Sequence, residues 1–138
     1  MATHGITPAE LKHARSPEVV AEILRAFIRS HRGMIHAFGK DFEMGFLTRA
    51  PWNVVGPWGD CIKLAAQEVM GKAGALPMFY GKPKWPKLSE AAAFFGVPQK
   101  GRSHRSLSDA RVTALIQAEI LERRPVEDEV SEMIEDGA

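Results

Sequence analysis

The run GRSHRSLSDARVTALIQAEIL, residues 101–121, constrains the fold most, because a basic loop around His104 passes there into an apolar helix that must bury one face. Ser106 and Asp109 stand three apart, the spacing of a capping box, in which two side chains satisfy the free backbone N–H groups of a helix start. From Asp109 onward Ala110, Ala114, Leu115, Ala118 and Leu121 recur at helical spacing. That period predicts a helix packed through these residues, with Arg111, Gln117 and Glu119 turned outward. His104 and Asp109 then stand near each other at one helix N-terminus. By spacing alone, Asp109 is a cap and His104 a loop residue.

The chain has material for a core. Of its 138 residues 45% are hydrophobic and 25% charged, the proportions of one soluble globular domain. Its uncharged apolar runs fall far short of the ~20 residues of a membrane span. The start MATHGITPAEL lacks the basic-then-apolar order of a signal peptide, so a cytoplasmic location is expected. Cys61 is a lone cysteine with no internal disulfide partner and no Cys or His at zinc spacing. The net charge of +1 conceals an asymmetry: residues 125–138 carry six acids and no Lys or Arg, which leaves residues 1–124 at +7. A basic body suits a surface that binds phosphates. The tail sets Val126, Val130, Met133 and Ile134 at helical spacing and reads as a short amphipathic helix or a solvating end. The expected division is a domain at 1–124 and an acidic tail at 125–138.

Within the body, Ser16-Pro17-Glu18 is a helix-start signal, with Ser as cap and Pro at the first helical position. A helix over residues 17–31 places Val19, Val20, Ile23, Leu24, Phe27 and Ile28 on one face and stops at Gly33. Residues 34–38, MIHAF, read as a buried strand or, at that length, a helix segment. Residues 40–49 read as a helix with Phe42, Phe46 and Leu47 inward, and residues 60–70 as a helix capped by Asp60 and ended by Gly71. The longest irregular piece, residues 71–87, is rich in Gly and Pro and mixes Lys72, Lys82, Lys84 and Lys87 with Phe79, Tyr80 and Trp85. Lysines beside aromatics hold phosphates and stack the bases of a single strand. A surface loop with solvated lysines has the same composition. Met70 and Met78 read as gap filling in the core. No P-loop, Gly-x-Gly-x-x-Gly, Gly-x-Ser-x-Gly or paired-cysteine motif occurs, so those enzyme classes gain no support.

Longer motifs carry a resemblance. The order His104-Arg105-Ser106-Leu107-Ser108-Asp109 resembles the third motif of the DEDDh 3′–5′ exonucleases, the proofreading and ribonuclease-T type within the ribonuclease-H-like fold. Residues 3–7, THGIT, resemble the linker that follows the family's first three strands, and residues 88–97, LSEAAAFFGV, the short helix ahead of the third motif. Residues 58–65, WGDCIKLA, resemble the family's supporting Trp-x-Asp-Thr-x-x-Leu-Ala segment. Two registers compete for the second motif. Phe42-Glu43-Met44-Gly45-Phe46-Leu47 is similar to Phe-Asp-x-x-Phe-Leu and puts Glu43 in the ligand position; a register anchored on His36 puts Asp41 there. The first keeps the apolar positions and is preferred.

The resemblance implies an α/β, ribonuclease-H-like exonuclease fold, truncated at its N-terminus so that helices dominate. It implies His104 as the general base, Asp109 with Glu43 or Asp41 as ligands to Mg²⁺ or Mn²⁺, and 3′ ends of single-stranded DNA or RNA as substrate. Lys82, Lys84, Trp85, Arg102 and Arg105 are the expected contacts to nucleic acid. The chain departs from the pattern at the first motif, since no Asp-x-Glu precedes His4-Gly5-Ile6-Thr7. The expected function is therefore a metal-dependent 3′–5′ exonuclease, incomplete or inactive as an isolated chain. The alternative is a catalytically dead module that binds nucleic acid or a partner. Exposed sheet edges and helix faces would then favour a homo-oligomer or a partner chain.

Overall fold

The computed structural model describes residues 5–100 and 105–123. A short helix α1 (Pro8–Leu11) opens on a closed capping box: Thr7 N–H donates to Glu10 Oε2 at 2.7 Å and Glu10 N–H donates to Thr7 Oγ1 at 3.3 Å. Ser106 and Asp109 have the same spacing but form no such box. Helix α6 spans Ser106–Glu122, so Ser106 is already helical and Asp109, in the first turn, donates its N–H to the Arg105 carbonyl at 2.9 Å. Arg105 explains the early start. Its backbone is extended, and its guanidinium donates to Glu10 Oε1 at 3.4 Å and to the Gly5 carbonyl at 3.3 Å, which pins the residue just ahead of the helix.

The core lies where α4 (Ile62–Lys72), α5 (Leu88–Phe94) and α6 meet. Ile62, Ala66 and Met70 face Ala91, Ala92, Phe95 and Val97, and α6 closes the cluster with Val112, Ile116 and Ile120. The fully buried alanines allow close approach of the helices, and the Arg123 guanidinium lies 4.8 Å from the Phe95 ring centroid, covering the end of the core. The expected face of α6 is corrected here: Ala110, Ala114, Leu115, Ala118 and Leu121 are exposed, while Glu119 and Gln117 are half-buried. The helix is apolar on two sides, and the side with larger branched residues removes more apolar area from water than the alanine side.

Helix α2 (Pro17–Ser30) starts as expected, with Ser16 Oγ accepting from Val19 N–H at 3.3 Å. Its face also differs from expectation. Only Ala21 is fully buried, Leu24, Arg25 and Ile28 are half-buried, and Val19, Val20, Ile23 and Phe27 are exposed. Arg25 selects that orientation by donating from Nη1 to the carbonyls of Pro51 and Trp52 at 2.9 and 2.8 Å. Helix α3 (Lys40–Leu47) likewise leaves Phe42 78% exposed and Phe46 exposed, with Leu47 half-buried. Helix α4 begins at Ile62 with Cys61 as cap rather than Asp60, and it continues through Gly71. A Cβ at Gly71 would press on the Pro83 ring, so glycine permits a close helix contact instead of ending the helix.

Residues 34–38 form a single parallel bridge and no longer strand. Ile35 N–H donates to the Pro57 carbonyl at 2.8 Å and Gly59 N–H to the Ile35 carbonyl at 2.9 Å. The ladder stops because the next carbonyls, of Ala37 and Phe38, accept from Ile62 and Lys63 at the start of α4, at 3.2 and 3.0 Å. The irregular piece contains an antiparallel hairpin, β1 (Met78–Phe79) and β2 (Lys82–Pro83), turning at Tyr80 and Gly81, both with positive φ. Met78 is 63% exposed there, against the expectation of gap filling, whereas Met70 is in the core. The described part is thus helix-rich with one two-stranded sheet.

Candidate active-site groove

A groove of about 510 Å³ runs between residues 35–39 on one side and α6 on the other. The exposed alanine side of α6 is one wall: Ala110 and Ala114 line the space, and their small side chains keep it open. Glu43 enters from α3 and Asp109 from α6, so the two acids singled out by motif stand on separate helices around one space. Each lies in the first turn of its helix, where the backbone dipole favours a negative side chain. Glu43 N–H donates to the Gly39 carbonyl at 3.1 Å, and Thr113 Oγ1 donates to the Asp109 carbonyl at 2.8 Å, which fixes the two turns locally. Asp41 is exposed and does not line the groove.

Sequence reasoning weighed His36 only as a register marker, yet it lines the groove. Its Nδ1 lies 3.2 Å from the Asp60 carbonyl, and its ring occupies the space a Cβ on Gly59 would need. A proton on Nδ1 directed at that carbonyl leaves Nε2 with the free lone pair. Trp58 also lines the space, and its indole N–H is buried without an acceptor among the described residues. Gln117 and Thr113 complete the polar lining of the α6 wall. The sequence marked Trp58 only as part of a supporting segment and His36 only as a register marker, because their approach depends on the bridge between Ile35 and Trp58.

The other expected contacts lie elsewhere. Lys82 is exposed on the hairpin beside a shallow cavity of about 400 Å³ near Leu64 and Gln67. Lys84 Nζ pairs with Glu90 Oε1 at 3.2 Å, and this ammonium, together with the stronger effect of the Lys87 N–H donated to the same carboxylate, holds Glu90 below the usual carboxylate range. Trp85 is 61% exposed, with the Lys63 ammonium 4.5 Å from its ring centroid. Arg105 is tied to Glu10 and Gly5. The backbone N–H of Thr7, above all, holds Glu10 below the usual carboxylate range. His104 and Arg102 lie outside the described residues, as does the acidic tail.

As a cation site the groove is open. Glu43 and Asp109 are hard oxygen donors of the kind Mg²⁺ and Mn²⁺ prefer. Among the described residues no three potential ligands converge. Two carboxylates lining one open groove do not build a closed cage. Among the same residues no helix is long and apolar enough to cross a membrane.

No curated protein and no solved structure matches the chain. A family model described as an exonuclease, of the RNase T type, matches residues 1–117, a span that holds the groove, both of its acids and the His104 to Asp109 motif. The chain belongs to the RNase T-type exonuclease family, whose members hydrolyse nucleic acids on a ribonuclease-H-like fold.

Proposed function

We propose that this chain carries the later half of a 3′–5′ exonuclease site, with Glu43 and Asp109 as the metal-binding acids and His104 as the general base. The observation that supports it is the convergence of Glu43 and Asp109 on one groove from two different helices. A divalent ion held there would neutralise charge on the phosphoryl oxygens and acidify a bound water. The chain's own residues do the rest. His104 takes the proton of the attacking water, the new P–O bond forms as the bond to the 3′ oxygen breaks, that oxygen takes a proton from solvent to become the new 3′-hydroxyl, and a nucleoside 5′-monophosphate leaves. Arg105, anchored by Glu10 and Gly5, is the residue next to His104 in sequence, so its role is positioning. With two carboxylates rather than four, the isolated chain binds its ion weakly and turns over slowly or not at all.

The test is release of label from 3′-labelled single-stranded DNA and RNA with Mn²⁺, comparing the wild-type chain with His104→Ala. Equal inactivity of the two at high protein concentration rejects catalysis by this chain. Titration with Mn²⁺ addresses the acids separately: Glu43→Gln and Asp109→Asn each weaken binding about tenfold or more, and Asp41→Asn leaves it unchanged. Equal loss in all three would remove Glu43 from its assigned place.

A second reading, a nucleic-acid-binding module without catalysis, is favoured by the hairpin. Phe79 and Tyr80 are exposed edge to face with centroids 5.6 Å apart, and Lys82 follows them. An aromatic tip beside a lysine stacks bases without reading sequence. Here binding to single strands falls steeply with salt, and Tyr80→Ala lowers affinity while His104→Ala does not.

A further inference from the structure

Trp85 has one ring face in use and one free. It is 61% exposed although the Lys63 ammonium lies 4.5 Å from its ring centroid on one side, so the opposite face is open to solvent. The ring sits on a fixed frame. Just ahead of it Lys84 N–H donates to the Pro77 carbonyl at 2.8 Å and Gln67 Nε2, on α4, donates to the Pro83 carbonyl at 2.6 Å, while Pro86 just after it is buried. An indole held in this way binds a flat partner with little further loss of freedom. The surrounding charge sets the sign of that partner. Residues 61–90 carry five lysines and two glutamates. Both glutamates are engaged, Glu68 by Lys72 and Glu90 by Lys84, which leaves Lys63, Lys82 and Lys87 outside any ion pair among the described residues. Position links the ring to the groove: Lys63 N–H donates to the Phe38 carbonyl at 3.0 Å, and Phe38 and Leu88, three residues after Trp85, both line it. One lysine side chain thus spans from the groove wall to the indole.

We propose that Trp85 and Lys63 form a stacking station for single-stranded nucleic acid. A base lies on the open face of the indole, and the Lys63 ammonium, at the opposite face, neutralises backbone phosphate as the strand passes the ring edge toward the groove. Bases paired within a duplex present no free face, so the station selects single strands. It uses neither Phe79 nor Tyr80. Lys84 is tied to Glu90 and contributes no free charge to it. Only the register of the strand, with its 3′ end in the groove, rests on the exonuclease reading; the stacking does not.

Fluorescence anisotropy of a 5′-labelled strand of about twelve nucleotides, with the full chain and a chelator to prevent hydrolysis, tests this against an abasic sugar–phosphate strand of equal length and charge. Wild type binds the base-bearing strand about tenfold or more tighter, and Trp85→Ala cuts that preference by about fivefold or more while affinity for the abasic strand stays within about twofold. Trp85→Phe keeps a stacking ring and retains the preference to within about threefold, with Trp85→Ala and Trp85→Phe both giving the wild-type circular dichroism spectrum because the ring is exposed. Lys63→Gln weakens both strands and lowers the slope of log affinity against log salt by about 0.7, the share of one phosphate. A single abasic site moved along the strand then reads the register. Loss confined to positions near the 3′ end supports the station together with the groove; equal loss at every position supports the station and counts against seating of the 3′ end in the groove. Equal affinity of wild type for the two strands overturns the proposal. So does a preference that Trp85→Ala leaves unchanged, or poly-glutamate of equal charge that displaces the labelled strand as well as the unlabelled strand does.

Discussion

Ile116→Ala tests the packing that presents Asp109 to the groove. Ile116 is fully buried at the centre of the cluster between α4, α5 and α6. The substitution deletes three carbon groups, worth roughly 2.4 kcal/mol of transfer free energy at about 0.8 kcal/mol each. The unfilled space adds a cavity term, which brings the expected cost to about 3–4 kcal/mol. Leu115, the neighbouring residue, is 49% exposed. Leu115→Ala loses only the covered half of its area and leaves no cavity, and alanine's helix preference returns a few tenths, so about 1 kcal/mol is expected. Urea unfolding followed by far-ultraviolet circular dichroism separates the two. With a slope of about 2 kcal/mol per molar, the midpoint falls by roughly 1.5–2 M for Ile116→Ala and about 0.5 M for Leu115→Ala. If the first does not fold, Ile116→Val still lowers stability by about 1 kcal/mol. A Leu115→Ala cost equal to or above that of Ile116→Ala would refute the assigned face, and with it the alanine wall of the groove.

Two further predictions concern the frame around the site. Gly59→Ala sets a Cβ against the His36 ring, so the ring or the bridge at Ile35 must move, at a cost of about 1–3 kcal/mol; a thermal midpoint unchanged from wild type would show that the approach is not tight. The depressed pKa values of Glu10 and Glu90 bind protons more weakly in the folded than in the unfolded state. Their contribution is present above the ordinary value of 4.5 and is lost as pH falls through the lowered folded values, so Glu10→Gln/Glu90→Gln should flatten the acid limb of stability, read as the urea midpoint against pH. An acid limb as steep in the double variant as in wild type would assign the pH dependence to other groups.

Helix positions were legible in the sequence, and helix faces were not. Ser16 and Pro17 marked the start of α2 correctly, since a cap and an N1 proline act within one turn. Periodicity then failed to choose a face, because α2 and α6 carry apolar residues on two sides. What decided was remote: Arg25 reaching carbonyls 26 and 27 residues away turned α2, and the α4–α5 pair took Val112, Ile116 and Ile120 from α6. The capping box shows the same limit. Thr7-Glu10 and Ser106-Asp109 share a spacing, and only the first closes, because Arg105, held by Glu10 and Gly5, takes the cap position and leaves Ser106 inside the helix.

Two acids of the groove were legible where motif and helix start coincide. Glu43 and Asp109 could be named from residue order, yet the reason given for Glu43, that Phe42, Phe46 and Leu47 pack inward, does not hold for the two exposed phenylalanines. What sets Glu43 apart from Asp41 is angular. Two residues on a helix lie about 200° apart, so with Glu43 facing the groove Asp41 must face away from it. The same geometry joins Asp109 to the open wall, because Ala110, Thr113 and Ala114 follow it at one, four and five residues and line the same space. The alanine side that the sequence assigned to the core is therefore the side that leaves room beside Asp109, and a larger residue at Ala114 would fill the groove before it disturbed the core.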